Sequence, residues 1–466
     1  MDENQSCLDA LTQSIEQLGG VINSAQLENT AELIIQAMTG TWRNFHTPEH
    51  IFEVGSGGDA IEVLSALFHD MVYVQVDQAS SLNISSYLTP FIKEVKNSKE
   101  VRNSKEVRNS ELVIRSEQEI APDHMFDIVC TIFGMQKGQV LSPFAGQNEF
   151  LSGLIAAKCL KPMLPENVIA EIIACIEATV PFRSPSPGGK TCSEMLFDRL
   201  GVANQKFDFG WNTDQMIAIV KRAVRLSNRD VENFAAPQSA DFLDNTWNLL
   251  PETNHELSNG SSYSVVGYRK SLQKMEGFMN FLKPEAVFHQ FHGEPEDQAY
   301  KEMVINTRKN LEVSKLYLGS KLFTIALLEA LSYRLGKTIP VSTMMGEHPS
   351  SGMKVAALAD FLPDIPLSKK LETPMEVEVF EILNKGRNKE SPYDIKNSPL
   401  ATLIVKHLGF SGIMESLKQA KEFFNDNFTP EEFLKKCDPE IVEIVTGALL
   451  QLFESRKAAL RGSSKF

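Results

Sequence analysis

The sequence predicts an all-α protein, a helical bundle with an additional helical region towards the C-terminus. Apolar residues recur at intervals of three and four positions along most of the 466 residues, and this spacing places them on one face of a helix. Runs that alternate apolar and polar residues, as strands do, are short and few. Helix starts are clearly marked, because Thr or Asp stands directly before Pro at several of them, where the first residue caps the helix and Pro fits its first turn.

Seven stretches carry the helical spacing most clearly. They are residues 8–18, 31–38, 60–71, 167–176, 216–226, 312–331 and 440–453. The capping pattern occurs at Thr47-Pro48, Thr373-Pro374, Thr429-Pro430 and Asp438-Pro439. Residues 181–190 and 337–352 are rich in Pro and Gly, so we predict loops there.

The hexapeptide NSKEVR occupies residues 97–102 and is repeated without change at 103–108. Short tandem copies of a polar sequence are typical of a surface insertion that tolerates changes in length. We therefore predict a solvated helix extension or loop there, within an insertion around residues 75–145. We expect residues 1–335 to form one helical domain that contains this insertion, and residues 336–466 to form a C-terminal helical region.

Composition and charge exclude several classes of function. Hydrophobic residues make up 42% of the chain and charged residues 23%, as in ordinary globular proteins. The formal net charge of −14 argues against general binding of nucleic acids or anionic membranes, which both need basic surfaces. Six cysteines without a CxxC pair fit a reducing cytoplasm, and the N-terminus lacks the features of a signal peptide. No stretch is apolar for long enough to span a bilayer, so we expect a soluble cytoplasmic protein.

Two histidines flank a predicted helix start in RNFHTPEHI, residues 43–51. Thr47 is placed to cap this helix and Pro48 to begin it, so His50 falls in the first turn. His46 lies just before the cap. The positive end of the helix disfavours a second proton on the imidazole of His50, which keeps that ring available as a metal ligand.

An adjacent pair, His69 and Asp70, ends the apolar helix predicted over residues 60–71. A carboxylate without a partner is costly in apolar surroundings. A divalent cation removes that cost, because it neutralises the carboxylate while the imidazole donates its lone pair. The pair therefore indicates a metal site.

Two further acidic residues lie at helix ends. Glu149 stands at the head of a predicted helix, and Asp230 ends the helix over residues 216–226 and beyond. Counting back from Asp230 by three and four positions gives Ser227, Ala223, Val220 and Met216. Asp230 thus belongs to the inward stripe of its helix, although Asp241 and Asp244 are rivals for the same role.

The order His-xxx-His, then His-Asp, then a distal Asp resembles the HD superfamily of metal-dependent phosphohydrolases. RNFHTPEHI, ALFHDMVY and NEFLSGLIAA are similar to the motifs of a bacterial branch of predicted metal-dependent HD phosphohydrolases. The first motif is distantly similar to that of cyclic-nucleotide phosphodiesterases. The resemblance covers roughly residues 40–235. It implies an HD-type helical bundle in which residues 1–335 form the catalytic domain.

Family roles carry over where the motifs match. The implied metal ligands are His50, His69, Asp70 and Asp230. In the family's pattern His46 would donate a proton to the leaving oxygen, Arg43 would pair with phosphate, and Glu149 would orient a ligand or bridging water. Glu177 is a further candidate on the inner side of its helix. Arg183 could reach a phosphate, and a structural role for it is equally open.

The resemblance also implies a reaction and its cofactors. Two divalent cations, drawn from Mn²⁺, Fe²⁺, Mg²⁺ and Co²⁺, would activate a hydroxide that hydrolyses a phosphate ester. The substrate would be a small phosphorylated molecule such as a nucleotide, with no nucleic acid or membrane as partner. A homo-oligomer is compatible with the sequence. Phosphomonoesterase and phosphodiesterase activities stay open as alternatives.

Two other functions are alternatives to hydrolysis. The interval between Asp70 and Glu149 is longer than in compact members of the branch, and the C-terminal region carries no assigned motif. Both features favour a helical regulatory or scaffold protein whose HD pocket is inactive. An HD-type di-iron oxygenase would keep the metals and oxidise a carbon substrate.

Overall fold

A computed structural model describes residues 2–77, 82–97, 109–258, 262–336, 339–346 and 356–461. The chain is 67% helical, with nineteen α-helices and one two-stranded sheet in its described part. The predicted all-α class is thereby confirmed. The chain divides into two compact units, Met1–Glu232 with Pro284–Val304 and Asn233–Lys283 with Ile305–Phe466. The domain boundary predicted between residues 335 and 336 falls inside the second unit, and the predicted domains stay a prediction.

The first unit contains the sheet and eleven of the described helices, not counting the start of a long helix that continues into the second unit. Its helices are α1 (Glu3–Gln17), α2 (Ser24–Met38), α3 (Pro48–Gly55), α4 (Ala60–Phe68), α5 (Val74–Asp77), α6 (Leu82–Leu88), α7 (His124–Phe133), α8 (Gln147–Leu160), α9 (Glu166–Ala178), α10 (Cys192–Phe207) and α11 (Thr213–Asp230). All predicted helical stretches of this unit fall on helices. The predicted loop at 181–190 is also present between α9 and α10.

The core of the first unit is built around α9. Nearly every side chain of this helix from Ile169 to Ala178 is buried, and α9 packs against α4, α7, α8 and α11. A helix that is apolar on all sides is stable only when other helices surround it. This central position fixes the helices that carry the candidate site relative to one another.

A β-hairpin lies inside the predicted insertion around residues 75–145. Strand β1 (Ile92–Asn97) pairs antiparallel with β2 (Asn109–Ile114), in a register that sets Ile92 opposite Ile114. Both of these end residues are buried, so their side chains anchor the hairpin to the core. A helix extension or loop is predicted for the hexapeptide copies. In the structure, β1 and β2 lie on either side of them. Residues 98–108 of the repeat lie outside the described residues.

The second unit contains the remaining helices. They are α12 (Ser239–Thr253), α13 (Val265–Phe281), α14 (Asp297–Ser332, which begins in the first unit), α15 (Val341–Met345), α16 (Pro374–Lys385), α17 (Pro399–Phe424, bent at Gly409), α18 (Pro430–Lys436) and α19 (Pro439–Leu460). Thr373 and Thr429 cap α16 and α18 as predicted, each with a Glu three residues later that closes a capping box.

The loop predicted over residues 337–352 contains the short helix α15, and several of its other residues lie outside the described ones. The buried carboxylate of Asp394 is satisfied internally, because it accepts hydrogen bonds from Lys321 Nζ (2.7 Å) and Trp247 Nε1 (2.6 Å). Within the described ranges, no helix of either unit has the length and apolar character needed to cross a membrane.

Candidate metal centre

Four side chains from separate parts of the first unit meet at one point. They are His50, His69, Asp70 and Asp230, and one nitrogen or oxygen atom from each lies within 4.8 Å of the others. These are the four residues that the sequence predicts as metal ligands. Their chemistry, two imidazoles and two carboxylates, is that of a group that could hold a metal ion.

His50 is positioned by the start of α3. Thr47 precedes the helix without a side-chain capping bond, Pro48 occupies its first turn, and His50 follows two positions later. Ile51 and Val54 are buried on the core side, so the helix is held by its apolar face while the ring of His50 faces the cluster. The predicted placement of His50 in the first turn is therefore found.

His69 lies at the C-terminal cap of α4 and is 1% exposed. Its Nδ1 atom lies 2.8 Å from the carbonyl oxygen of Ala66. A carbonyl can only accept, so Nδ1 carries the hydrogen in the neutral ring and Nε2 keeps its lone pair. Such a hydrogen bond to the second nitrogen is how proteins orient histidines that ligate metals.

The two carboxylates lie directly against these imidazole nitrogens. Oδ2 of Asp70 is 3.0 Å from Nε2 of His69 and 3.3 Å from Nε2 of His50. Oδ1 of Asp230, at the end of α11, is 3.3 Å from Nε2 of His69 and 3.2 Å from Nε2 of His50. Each carboxylate thus faces both rings.

These separations fit a shared cation. Nitrogen and oxygen ligands that each lie about 2.1 Å from an ion, at right angles to one another, are about 3 Å apart. The Nε2 atom of His50 is also buried and has no hydrogen-bond partner among the described residues, despite the nearby carboxylates. A buried polar atom without a partner is costly, and a cation would satisfy its lone pair.

The electrostatics show how strongly the four groups interact in the absence of a cation. Burial lowers the pKa of His50, but the carboxylates of Asp230 and Asp70 outweigh burial and raise it to about 9. In the absence of a cation, this corrects the expectation that the helix start keeps the ring unprotonated. The same carboxylates also raise the pKa of His69, although burial opposes the rise. Burial would raise the pKa of Asp70 and of Asp230, yet the histidines lower both, that of Asp230 to about 2.

Arg43 has a different role from the predicted one. Its side chain is fully buried, and Nε and Nη2 form a forked pair with Asp77 at 2.9 and 2.8 Å. Nη1 donates to the carbonyl oxygen of Asp70 at 2.7 Å, and Nη2 to that of Met71 at 3.3 Å. The guanidinium is therefore engaged with the protein and not placed to pair with phosphate, which corrects the expectation. Arg43 instead fixes the backbone of Asp70.

His46 borders the cluster of four residues, and Glu149 interacts electrostatically with its two carboxylates. Nε2 of His46 is 3.9 Å from Oδ2 of Asp70, and its ring meets that of Tyr73 edge-on, with centroids 4.6 Å apart. Glu149 lies in the first turn of α8. Burial, together with the negative charges of Asp70 and Asp230, raises the pKa of Glu149 to about 7, while Arg183 opposes the rise.

Glu177 is an ion-pair anchor and not a ligand of the cluster. Its Oε1 atom accepts hydrogen bonds from Arg183 Nη1 and from Arg199 Nη2, both at 2.5 Å. The side chain is 1% exposed. A carboxylate shared by two guanidinium groups in a buried place holds both of them in fixed positions.

Three polar residues outside the predicted set of ligands and catalytic groups position the site. Ser152 Oγ accepts from the backbone N–H of Val72 at 3.0 Å, and Asn148 Oδ1 accepts from that of Val74 at 3.2 Å. Both belong to α8 and hold the segment that follows Asp70. The motif NEFLS contains both residues, so their helical spacing of four was a signal that both side chains lie on one face.

The third is Asn228, two residues before Asp230. Its side chain donates to the carbonyl oxygen of His289 at 2.9 Å and accepts from the backbone N–H of His289 at 2.8 Å. This paired contact fixes the segment around His289 against the end of α11. Burial and the charge of Arg183 lower the pKa of His289 to about 4.

The two rivals of Asp230 belong to the second unit. Asp241 accepts a hydrogen bond from Asn388 Nδ2, and Asp244 accepts one from the backbone N–H of Lys389 at 3.0 Å. Neither belongs to the cluster of four. The structure thus places Asp230 with the other three predicted ligands.

Comparison with known proteins adds no relative. No family model matches the chain, and searches of curated proteins and of solved structures find no match. The resemblance to HD phosphohydrolases is carried by the sequence motifs alone and stays a prediction.

Proposed function

We propose that the protein is a metal-dependent phosphohydrolase of the HD type that cleaves a phosphate ester of a small molecule. One observation carries the proposal, namely that ligand atoms of His50, His69, Asp70 and Asp230 lie within 4.8 Å of one another. Clusters of this composition, two imidazoles and two carboxylates, suit divalent cations that catalyse hydrolysis.

The residues present fit a divalent cation. The four side chains would hold one ion of the two that the resemblance implies, drawn from Mn²⁺, Fe²⁺, Mg²⁺ and Co²⁺. When bound, such ions supply a water of lowered pKa and positive charge towards the phosphoryl oxygens. Imidazole and carboxylate ligands favour these ions over those that prefer sulfur.

His46 is the residue best placed to handle the proton of the leaving group. Its Nε2 atom is 3.9 Å from Asp70 and its side chain is 16% exposed, so it borders the cluster and remains accessible. Contacts of its ring with Tyr73 and Phe45, at 4.6 and 5.0 Å between centroids, hold the imidazole in place. An imidazole near neutral pH is an effective proton donor to a departing oxygen.

Glu149 is the second residue that can hold a proton beside the cluster. Burial is the largest cause of its raised pKa, which is about 7 in the absence of a cation. A carboxyl group in this condition can donate or accept a hydrogen bond with a water molecule. We assign it the orientation of the attacking water.

Hydrolysis by the purified protein tests the proposal. Phosphomonoesters and phosphodiesters would be screened with each of the four metal ions, for the wild type and for Asp70→Asn. We expect metal-dependent hydrolysis that falls at least about 100-fold in Asp70→Asn, since second-shell changes alone cost 10- to 100-fold. Asp241→Asn, which alters an acidic residue outside the cluster, is the matched control and should retain full activity.

The same screen separates the proposal from its alternatives. Metal uptake with oxygen consumption but no hydrolysis would indicate the oxygenase. Absence of metal and of any turnover in the wild type would indicate the scaffold protein, and full activity of Asp70→Asn would overturn the proposed role of the cluster.

A further inference from the structure

Arg183 is the guanidinium beside the cluster that the mechanism above leaves unused. It follows the C-terminal end of α9, on a turn where the preceding Phe182 has a φ of +56°. Backbone in this left-handed region is unfavourable for a residue with a side chain. Surrounding contacts therefore impose the turn, and they set the direction in which Arg183 leaves the helix.

The guanidinium of Arg183 is held firmly but only partly used. Nη1 donates to Glu177 Oε1 at 2.5 Å, and Nη2 donates to the backbone carbonyl oxygen of Glu177 at 3.1 Å. An arginine carries five N–H donors, and Nε has no hydrogen-bond partner among the described residues. Each Nη nitrogen carries two hydrogens and uses one of them in these bonds, so each retains a second hydrogen. The side chain is 19% exposed.

Packing contacts place the turn that carries Arg183 near the metal centre. Val180, three residues before Arg183, packs against Gly146, the residue that directly precedes α8. The helix α8 in turn holds the segment after Asp70, because Ser152 accepts a backbone hydrogen bond from it.

We propose that Arg183 binds the phosphoryl group of the substrate, with its unused Nη hydrogens donated to non-bridging phosphate oxygens. This inference rests on the proposed function and adds the anion-binding group that the corrected role of Arg43 leaves missing. Arginine suits the task because its planar fork matches two oxygens of one phosphate. Glu177 acts as the positioning residue that holds the fork in place.

The charge of the site supports this assignment. Arg183 and Arg199 share the single carboxylate of Glu177. Two guanidinium groups on one carboxylate leave a net positive charge there. A phosphate would neutralise that excess, whereas a neutral substrate would leave it unpaired.

Arg199 offers a matched control. It contacts the same oxygen of Glu177 at the same distance of 2.5 Å, and its side chain is similarly exposed, 21% against 19%. Its Nε donates instead to the carbonyl oxygen of Ile132 on α7 at 2.6 Å. Arg199→Gln thus removes the same charge and the same ion pair, but on the side of α7.

Calorimetric titration of the Mn²⁺-loaded protein with inorganic phosphate tests the inference, after Mn²⁺ uptake has been measured for each variant. We expect Arg183→Gln to weaken phosphate binding by about 10- to 100-fold, the equivalent of a hydrogen bond to a charged group. Mn²⁺ uptake should be unchanged. Arg183→Lys should recover part of the affinity, and Arg199→Gln, which removes an equal charge without the proposed hydrogen bonds, should lose less affinity than Arg183→Gln.

The outcomes separate the two proposals. Equal phosphate affinity in Arg183→Gln and the wild type, or no phosphate binding by a wild type that takes up Mn²⁺, overturns the inference and leaves the metal centre standing. An equal loss in Arg199→Gln and Arg183→Gln also overturns it, because the effect would then come from the Glu177 ion pair. A wild type that takes up no Mn²⁺ overturns the proposed function together with the inference.

Discussion

Oδ1 of Asp230 lies 3.3 Å from Nε2 of His69, although 161 positions separate the two residues along the chain. The contact exists because α11 packs against α4 in the first unit. Arg229 Nε also joins α11 to α3, which carries His50, through a hydrogen bond of 2.9 Å to the carbonyl oxygen of Val54. The candidate metal centre is therefore a product of tertiary packing, and changes outside its ligands should affect it in specific ways.

Replacing Arg43 should destabilise the protein and weaken metal binding indirectly. Arg43→Met leaves Asp77 without its forked partner and frees the backbone carbonyls of Asp70 and Met71. Breaking a largely buried pair on one side costs about 3 kcal/mol, which urea unfolding would measure. Arg43→Lys should lose less, because it keeps the charge without the fork. An Arg43→Met variant of wild-type stability that fails only in phosphate binding would restore the role predicted from the sequence.

Ser152→Ala should loosen the segment that follows Asp70. The backbone N–H of Val72 would lose its buried acceptor, at a cost of about 1–2 kcal/mol in the free energy of unfolding. Mn²⁺ affinity should fall with it. Ser65→Ala is the control, since both serines are 0% exposed and Ser65 only donates, to carbonyl oxygens of Ile61 and Ile172. An equal loss of Mn²⁺ affinity in Ser152→Ala and Ser65→Ala would argue against a positioning role for Ser152.

The metal-free protein should lose stability as the pH rises from about 6.5 to 9. The pKa of His50 is raised from 6.5 to about 9 in the folded protein, so folded molecules hold a proton in this range that unfolded chains release. Rising pH then favours unfolding. The pKa of Asp230 is lowered to about 2, and its contribution is lost only when the pH falls from about 4 towards 2.

Thermal unfolding in EDTA at pH 6.5 and at pH 9 measures this effect. We expect a lower Tm at pH 9 for the wild type and a smaller decrease for His50→Gln. Added Mn²⁺ should reverse the trend, because it binds the deprotonated imidazoles and its stabilisation grows with pH. A Tm in EDTA that is independent of pH in this range would contradict the raised pKa.

Glu149→Gln should stabilise the metal-free protein at high pH only. Burial and two nearby carboxylates raise the pKa of Glu149 from 4.5 to about 7, so the folded protein carries an unfavourable charge there above pH 7. Glutamine removes that charge. We expect Tm to rise by about 3–8 °C at pH 8, since each kcal/mol added to the free energy of unfolding raises Tm by about 2–4 °C. At pH 5 the rise should be close to zero. A gain of the same size at both pH values would show that the cause is not the charge.

Local sequence patterns predict the helices, and they place His50, His69 and Asp70 at helix ends, three of the four residues that meet in the cluster. The helical spacing and the caps give the elements directly, and the adjacent His69 and Asp70 are placed by the end of a single helix. The partners of Asp230 cannot be assigned from its own helix, because a helical stripe shows which residues face inwards but not which helix they meet. The rivals Asp241 and Asp244 could be set aside only when α11 and α12 were seen in separate units.

The remaining features depend on partners distant in the chain. Arg43 pairs with Asp77, 34 positions away, and nothing in the motif RNFH indicates that its donors are occupied. Glu177 was recognised as an inward-facing acid, but its two arginine partners lie on the following loop and on α10. The β-hairpin pairs short strands around a polar repeat, where the alternation of side chains is too brief to predict a strand.

Binding of Mn²⁺ measured by calorimetry at pH 7.5 tests the central claim most directly. The account predicts that the wild type binds Mn²⁺ with release of protons, and that Asp230→Asn weakens binding at least about 100-fold, beyond what second-shell changes cause. Asp241→Asn should bind like the wild type. Wild-type affinity in Asp230→Asn, or a wild type that binds no divalent ion, would contradict a metal centre at His50, His69, Asp70 and Asp230.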